Sequence, residues 1–525
     1  MPHHSTTAQE EMLPLKSEAP IIIYIDFKSP YAYLAVAPAR EMLAKLGLFA
    51  DWRPFVLDIP SFLGSAKLDE DGKKVAKQNR TKDQWSGIKY AYFDCRRYAN
   101  LADQTIRGTV KIWDTHLPAI GMLWLKRFSD LADQCAPGSV LERYIDVIYE
   151  PFWKREFDAE DLSAILRVLE QINAPTDGFL EYARGDGAAL NARLQESAFE
   201  AGIYGVPTFI FPNESAADPQ HQKFFGREHL PRISWLLSGR RNSAPDVAYA
   251  LSPEIPDAAV AKSAMEPMSA PEVTATPRRL TTYFDFKSPQ CYLALPSILA
   301  LRGEGISVEW RPFESTPLKE PTEETAHDDR GTQHRRIRGE YHANDIQRYA
   351  PHKLNDIYRQ TDCQFADMGL LWLQHALRAS QKVIDGYVQR VFAHLWKDDG
   401  ALDSARDIEP LLFAAGDLQA EFFETNFDKN KFDKKHFGKT QLGTANFETT
   451  GSSESLHSER TGREAELSKL WLDYARGQGL EDLDGVRRAA QSESISMAPT
   501  FSLGSEPFQG RAHFPLITAR LKAGI

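Results

Sequence analysis

One ordered set of motifs occurs twice in this chain of 525 residues. The segment 24–35, YIDFKSPYAYLA, returns as 283–294, YFDFKSPQCYLA, at a shift of 259 positions (283 − 24). The tetrapeptide Trp-Arg-Pro-Phe at 52–55 returns at 310–313, and further matched motifs follow in the same order to the end of each half. Because the order of the motifs is kept, we interpret the sequence as a tandem duplication of one domain.

The matched motifs delimit the predicted domains. The first domain covers 20–238 and the second 280–523, after a disordered tail at 1–19. The segment 239–279 is rich in Ala, Pro and Ser and is predicted to be a linker. Late in the second half the shift between matched motifs rises from 243 to 292 positions, and the polar composition there predicts a mobile loop over about 417–469.

Each half opens with a βαβ pattern. Ile21–Ile25 is a short apolar run rich in β-branched residues, which is typical of a buried strand. Ser29 followed by Pro30 is a favourable helix start, and Gly47 follows the last apolar residue of that helix. A second strand is predicted within 49–57.

The middle of each half is predicted to be helical, over about 59–199 in the first half and 317–490 in the second. A strand, a second strand and a helix then close each half. The predicted fold class is therefore α/β, with an all-helical insertion between the βαβ and ββα parts of each domain.

These motifs resemble the DsbA-like branch of the thioredoxin fold, and within it the 2-hydroxychromene-2-carboxylate isomerases and kappa-class glutathione transferases. The resemblance rests on the Phe-Asp-Phe-Lys-Ser-Pro opening, on Gly-Val-Pro-Thr-Phe at 205–209 and on Phe-Gly-Arg at 225–227. It implies two thioredoxin-like domains with glutathione as the cofactor. It also implies that the glutathione thiolate adds to an activated double bond of a small hydrophobic or aromatic substrate. An isomerase would then expel the thiolate and release the isomerised product, whereas a transferase would stop at the adduct.

The resemblance also assigns roles to individual residues. Ser29, and Ser288 in the second half, would stabilise the cofactor thiolate at a helix N-terminus, where unpaired N–H groups carry partial positive charge. A Ser-Pro pair is equally a good helix start without any ligand. The predicted cofactor-binding residues flank two prolines expected to be cis and the Gly-Arg loop after them: Val206, Pro207, Arg227, Glu228, Ala498, Pro499 and Arg511.

Tyr31, Asp94 and Arg97 are predicted to contact the substrate. For Asp94 and Arg97 a second interpretation stays open, since residues three apart on a helix can form an ion pair on a solvated face. The predicted apolar pocket is formed by aromatic residues of the helical block: Trp85, Tyr90, Tyr92, Trp113 and Trp124. No metal site is predicted.

No two of the four cysteines form a CxxC motif, and their spacing is not that of a zinc site. Cys291 stands at the second position of the motif in which redox-active relatives have CxxC, and it is predicted to be partly buried and a poor nucleophile. Two other classes of function remain as alternatives. One is a DsbA-type thiol–disulfide oxidoreductase, which the missing CxxC disfavours, and the other is a non-catalytic module that binds extended peptides.

Charge and hydropathy exclude other classes. A net charge of −11 argues against nucleic-acid binding, and no apolar run approaches the roughly 18 residues that span a membrane. The polar N-terminus has no signal-peptide pattern, so a cytoplasmic location is expected. The duplication also predicts that the two halves form an intramolecular pseudo-dimer.

Overall fold

The computed structural model describes residues 12–69, 75–128, 131–212, 222–249, 279–414 and 453–524. The first half contains, in chain order, β1 (Ile21–Ile25), α1 (Pro30–Leu46), β2 (Ala50–Pro54), α2 (Ile59–Leu63), β3 (Ala66–Leu68), β4 (Val75–Gln78), α3 (Lys82–Leu101), α4 (His116–Leu125), α5 (Leu131–Cys135), α6 (Val140–Trp153), α7 (Leu162–Gln171), α8 (Phe179–Arg184), α9 (Asp186–Glu200), β5 (Thr208–Ile210), β6 (Lys223–Phe225) and α10 (Leu230–Leu237).

The second half contains β7 (Arg279–Phe284), α11 (Pro289–Gly303), β8 (Ser307–Pro312), α12 (Arg330–Tyr349), α13 (Gln364–Leu371), α14 (Gln381–Trp396), α15 (Ala405–Phe413), α16 (Ser453–Arg476), α17 (Gln478–Ser492), β9 (Thr500–Leu503), β10 (Glu506–Gln509) and α18 (Phe514–Ala523). Short 3-10 turns at Arg227–His229 and Arg511–His513 precede the last helix of each half.

The described residues form two compact units. Unit 1 contains those of 1–274, 320–349 and 512–525, and unit 2 contains those of 275–319 and 350–511. Helices α12 and α18, which belong to the predicted second domain, therefore group with unit 1.

The sheet of unit 1 has the strand order β2-β1-β5-β6. The central strand β1 is parallel to β2 and antiparallel to β5, so that Ile23 pairs with Trp52 on one side and with Phe209 on the other. All five residues of β1 are buried, as its apolar composition predicts. Helix α1 begins after the N-cap Ser29 and ends at Gly47, whose φ of +66° lies in the left-handed region that glycine adopts without strain.

The middle of the first half is mainly helical, but it is not all-helical as predicted. Strands β3 and β4 pair as an antiparallel ribbon between α2 and α3. Ribbon residues Val75–Gln78 are exposed, so no buried apolar pattern marked them as a strand in the sequence.

The predicted disordered tail is also wrong for its last eight residues, 12–19. Arg53 donates to the carbonyl oxygens of Leu13 and Lys16, each at 2.7 Å, and the Tyr24 hydroxyl donates to Pro14 O at 2.9 Å. These bonds satisfy the Arg53 side chain and attach the segment to the sheet. Residues 1–11 lie outside the described residues.

The sheet of unit 2 has the order β10-β9-β7-β8. Strand β7 is parallel to β8 and antiparallel to β9, and β9 is antiparallel to β10, so each unit contains one parallel and two antiparallel pairings in the same sequence of strands. That this likeness arose by duplication stays a prediction.

Part of the predicted mobile loop is a helix, since α16 covers 453–476. Leu467 and Trp471 are buried, and Trp471 Nε1 donates to Ala405 O at 2.8 Å. A few buried apolar residues therefore order a segment whose composition is mostly polar. The rest of the loop, 417–452, and residues 250–278 of the predicted linker lie outside the described residues. The start of that linker is packed, because Ala248 N donates to Glu228 O at 2.9 Å.

None of the described helices combines the length and apolar character needed to cross a membrane.

Candidate functional site

Ser29 lies between the N-terminus of α1 and the loop that precedes β5. Its Oγ accepts a hydrogen bond from Ala32 N at 3.2 Å and donates one to Val206 O at 3.3 Å. Val206 is followed by a cis peptide bond to Pro207, which confirms the predicted isomer. Ser29 is 5% exposed, so its hydroxyl is held at the edge of the core by these two bonds.

Arg227, in the 3-10 turn before α10, has a buried guanidinium that protein acceptors do not fully satisfy. Its Cζ lies 4.4 Å from the ring centre of Tyr98 and 4.5 Å from that of Tyr249, so the cation is held between two aromatic faces. Within the described part of the chain, Nε and Nη2 are buried without a hydrogen-bond partner. Unpartnered buried donors are costly, and a carboxylate is the acceptor whose geometry fits a guanidinium best.

Glu228, the neighbour of Arg227, contacts through its backbone the segment 248–249, which carries Tyr249. Its carbonyl oxygen accepts the hydrogen bond from Ala248 N, and the next residue, Tyr249, donates its N–H to Ala512 O at 2.8 Å. Tyr249 is thereby fixed over Arg227, and burial raises its pKa well above the usual value.

Asp94 and Arg97 form a buried ion pair. Arg97 Nη1 donates to Asp94 Oδ1 at 2.6 Å, and both side chains are almost completely enclosed. The alternative interpretation of a pair on a solvated helix face is therefore wrong. The Tyr31 hydroxyl donates to Asp94 Oδ2 at 3.4 Å, and burial, assisted by Cys95 and Asp94, raises the pKa of Tyr31 well above its usual value. Contact of these three residues with substrate stays a prediction.

A tyrosine–histidine cluster, which the sequence analysis missed, surrounds the same carboxylate. His513 Nδ1 lies 2.8 Å from the Tyr98 hydroxyl, and His513 Nε2 lies 3.4 Å from the Tyr90 hydroxyl and 3.8 Å from Asp94 Oδ1. All of these residues belong to unit 1, although His513 follows the others by more than 400 positions. We call this group the first Tyr–His cluster.

A second Tyr–His cluster in unit 1 repeats the arrangement with the halves exchanged. His229 Nδ1 lies 2.8 Å from the Tyr349 hydroxyl, and its Nε2 lies 3.2 Å from the Tyr341 hydroxyl and 3.7 Å from Asp345 Oδ1. Asp345 in turn accepts from Arg348 Nη1 at 2.6 Å. Each cluster therefore joins a helix from one half of the chain to a turn from the other half.

A sequence signal for both histidines was present. The Gly-Arg-x-His pattern occurs at 226–229 and at 510–513, with a shift of 284 positions (513 − 229). The family resemblance includes the Gly-Arg part of this pattern but not the histidine two residues later.

The corresponding positions of unit 2 form a second candidate site. Ser288 is the N-cap of α11, and its Oγ accepts from Cys291 N at 3.4 Å. The Ala498–Pro499 bond is cis, as predicted, and Pro499 O accepts from Gly510 N at 2.9 Å. Arg511 Nη1 donates to Gln290 Oε1, an acceptor for which the first half has Tyr31 at the matched position.

Cys291 is buried rather than partly buried, with only 2% of its surface exposed. Its Sγ accepts from Asp285 N at 3.4 Å, and burial raises the pKa of the thiol to about 12. A thiol with so high a pKa is almost entirely protonated at neutral pH, and this agrees with a poor nucleophile. Burial also raises the thiol pKa of Cys95 and Cys363.

Unit 2 also contains a buried carboxyl group at a position where the first half has an alanine. Asp367 replaces Ala119 of the matched helix, and within the described residues its Oδ1 is buried without a hydrogen-bond partner. Burial, together with the nearby Asp285, raises the pKa of Asp367 well above its usual value. This carboxyl group is therefore protonated at a pH where exposed aspartates are ionised.

No group of three or more His, Cys, Asp or Glu side chains in the described ranges is arranged to hold a metal ion.

Comparison with known proteins identifies one domain and related proteins. Residues 279–446 match the family model of the DSBA-like thioredoxin domain. A 2-hydroxychromene-2-carboxylate isomerase from Sphingobium xenophagum is 23% identical over 224 residues, which cover 41% of this chain and 97% of that protein. Residues 279–446 are therefore identified as a DSBA-like thioredoxin domain.

Two solved structures are also similar to this chain. A 2-hydroxychromene-2-carboxylate isomerase is 17% identical, with 42% of this chain and 94% of that chain covered and a TM-score of 0.31. A probable DsbA oxidoreductase from Streptomyces coelicolor is 15% identical, with 45% and 96% covered and the same TM-score of 0.31. The DSBA-like domain and the isomerase relative support a relationship to a thioredoxin-fold family of isomerases and oxidoreductases.

Proposed function

We propose that this protein is a glutathione-dependent isomerase or transferase of the 2-hydroxychromene-2-carboxylate isomerase or kappa type, acting on a hydrophobic aromatic electrophile. The observation that carries the proposal is the position of Ser29. Its hydroxyl lies at the start of α1, 3.3 Å from the carbonyl oxygen that precedes cis-Pro207. The isomerase relative supports the reaction class.

Glutathione would supply a nucleophilic thiolate at this position. The residues of unit 1 fit such a ligand, because Arg227 has two buried guanidinium nitrogens without a partner in the described residues and glutathione carries two carboxylates. In this proposal Arg227 binds a carboxylate, the turn residue Glu228 lies beside that end, and the Val206–Pro207 segment pairs with the peptide backbone. Ser288, Ala498, Pro499 and Arg511 would form the equivalent site of unit 2.

Ser29 would act by donating its single hydroxyl proton. At present Val206 O accepts that proton, while Ala32 N donates to Ser29 Oγ. A thiolate is a stronger acceptor than a neutral carbonyl, because hydrogen bonds to ionised groups are about twice as strong. We therefore expect the hydroxyl to turn towards the sulfur, and the helix N-terminus adds favourable charge at the same point.

The three cysteine thiols whose environment the structure describes disfavour the oxidoreductase alternative. Disulfide exchange needs an accessible thiolate, whereas Cys95, Cys291 and Cys363 are buried and burial raises the pKa of each. A sulfur brought by a small cofactor meets this need without any of these three cysteines.

We also propose that the two halves arose by duplication and form an intramolecular pseudo-dimer. The two Tyr–His clusters support this, because within unit 1 each one pairs a helix of one half with a turn of the other.

Titration calorimetry with reduced glutathione tests the cofactor, and ultraviolet absorbance of the bound thiolate gives its pKa. In Ser29→Ala the pKa of the bound thiol should rise by about one unit, as expected for the loss of one hydrogen bond to a charged group. Ser139→Ala, which removes the N-cap hydroxyl of α6 and lies outside both proposed sites, is the matched control. Arg227→Gln should weaken binding without changing the thiol pKa. Absence of binding to the wild type would refute the cofactor, and an unchanged thiol pKa in Ser29→Ala would refute the role of the serine.

A further inference from the structure

Arg227 is enclosed within unit 1, although two of its donors lack a protein acceptor. The residue is only 6% exposed, and within the described residues Nε and Nη2 are buried without a hydrogen-bond partner. These two nitrogens form the edge of the planar guanidinium that can donate two parallel hydrogen bonds to one carboxylate. The edge therefore suits a carboxylate ligand, but the surrounding residues keep solvent and ligands away from it.

The segment after α10 provides part of this enclosure. We call residues 242–249 the strap. Its side chain Val247 is buried. Hydrogen bonds attach the strap to unit 1 along its length, from Trp235 Nε1 to Asn242 O at 3.2 Å, from Arg232 Nε to Pro245 O at 2.8 Å, from Ala248 N to Glu228 O at 2.9 Å and from Tyr249 N to Ala512 O at 2.8 Å. Single hydrogen bonds contribute modestly to stability, so the strap can be released without unfolding the unit.

Tyr249, at the end of the strap, packs its ring against Arg227. The ring centre lies 4.5 Å from Arg227 Cζ and 4.9 Å from the ring centre of Tyr98. Tyr98 in turn lies 4.4 Å from the same Cζ, so the two rings form an aromatic corner around the cation. This contact stabilises the covered arrangement, because a desolvated cation is attracted to the faces of aromatic rings.

The Tyr249 ring is also close to the helix start that carries Ser29. Burial is the main cause of the raised pKa of Tyr31, and Tyr249 is one of the neighbouring groups that raise this pKa further. Tyr31 belongs to the first turn of α1, two residues after Ser29. Tyr249 thus lies near both of the residues that the proposed function assigns to one ligand.

We propose that the strap is an autoinhibitory cover of the Arg227 edge, and that an acidic ligand binds when Tyr249 is displaced. That this ligand is glutathione rests on the proposed function, whereas the cover itself requires only a carboxylate. If the open state is a minor one, the apparent affinity is reduced by the fraction of molecules that are open. Loosening the strap should therefore tighten the binding of a carboxylate.

The test is calorimetric titration of the full-length protein with glutarate, a dicarboxylate without a thiol, and in parallel with reduced glutathione. Tyr249→Ala removes the aromatic cover and should tighten the binding of both ligands by about tenfold. Ala248→Pro keeps the ring but removes the N–H that donates to Glu228 O, and it should tighten binding by about threefold. Adding Arg227→Gln to Tyr249→Ala should abolish the gain, because the donor edge is lost.

Phe128→Ala is the matched control, since it removes a ring of unit 1 that is 47% exposed and lies outside the strap. Its affinity for glutarate should equal that of the wild type. Unchanged or weaker glutarate binding in both strap variants, an equal gain in Phe128→Ala, or no glutarate binding in any variant would overturn the proposal. A gain for glutarate without any binding of glutathione would support the cover and refute only the cofactor. Glutathione binding of equal affinity in the wild type and both strap variants would retain the cofactor and overturn the cover.

Discussion

Removal of the Tyr98 hydroxyl by Tyr98→Phe tests the energetic importance of the first Tyr–His cluster. The hydroxyl lies 2.8 Å from His513 Nδ1, and both side chains are buried. The change leaves the size of the ring intact but removes the partner of a buried imidazole nitrogen. A buried polar group left unsatisfied costs about 1–3 kcal/mol, so we expect the free energy of unfolding to fall by that amount.

Tyr204→Phe is a matched control for the same chemical change. The Tyr204 ring is also buried, but within the described residues its hydroxyl has no hydrogen-bond partner. Removal of an unpaired buried hydroxyl should leave stability unchanged or raise it by up to about 1 kcal/mol. Urea unfolding of both variants and the wild type, followed by circular dichroism at one pH, gives the comparison. Equal losses in the two variants would refute the importance of the hydrogen bond.

Three further predictions concern buried ionisable groups. Asp51→Asn should lower the free energy of unfolding at pH 7 by about 3–5 kcal/mol, since it removes the carboxylate that pairs with the buried cations Arg53 and Lys126. The matched change at the exposed Asp146, which pairs with Arg40, should cost less than about 1 kcal/mol. Burial alone would raise the pKa of Asp51, but Lys126 and Arg53 hold this pKa at about 2 instead of 3.8. The resulting stabilisation of about 2 kcal/mol is present above pH 4 and is lost as the pH falls towards 2. Urea titrations should therefore show that the difference in unfolding free energy between Asp51→Asn and the wild type shrinks between pH 4 and pH 2. Asp367→Asn should stabilise the protein more at pH 7 than at pH 4 in the same assay. The pKa of Asp367 is raised in the folded protein, so folding is opposed at any pH at which this aspartate is ionised in the unfolded chain. An equal gain in unfolding free energy at the two pH values would contradict this. Iodoacetamide at pH 8 should leave Cys291 unmodified until urea unfolds the protein, as read by mass spectrometry, and rapid native labelling would disprove its burial.

Local sequence signals predicted the parts of the fold that depend on neighbouring residues. The apolar run at Ile21–Ile25, the Ser-Pro helix start and the terminating Gly47 each occur where the structure has a strand, a helix start and a helix end. The two cis prolines were also expected, because Pro207 and Pro499 lie in matched motifs of a known family. The cap position of Ser29 and its bond to Ala32 follow from the same local pattern.

The parts that could not be predicted depend on contacts between distant segments. Nothing in the sequence around His513 indicates Tyr98 as its partner, and the composition of α16 gives no sign that Trp471 is buried. The exposed ribbon of β3 and β4 lacks the alternating apolar pattern that marks a half-buried strand. Likewise, the spacing of Asp94 and Arg97 predicts their pairing but not the burial of the pair.

The inclusion of α12 in unit 1 has a consequence for synthesis on the ribosome. The His334 ring of α12 stacks on Phe62 at 3.9 Å, and the Tyr341 hydroxyl accepts from Phe225 N at 2.7 Å. Residue 330 is translated 81 positions after residue 249 (330 − 249), which takes about 4–16 s at roughly 5–20 residues per second. During this interval the emerging polypeptide presents Phe62 and Phe225 without their later contacts, so nascent unit 1 should need chaperone protection at least until α12 has been translated.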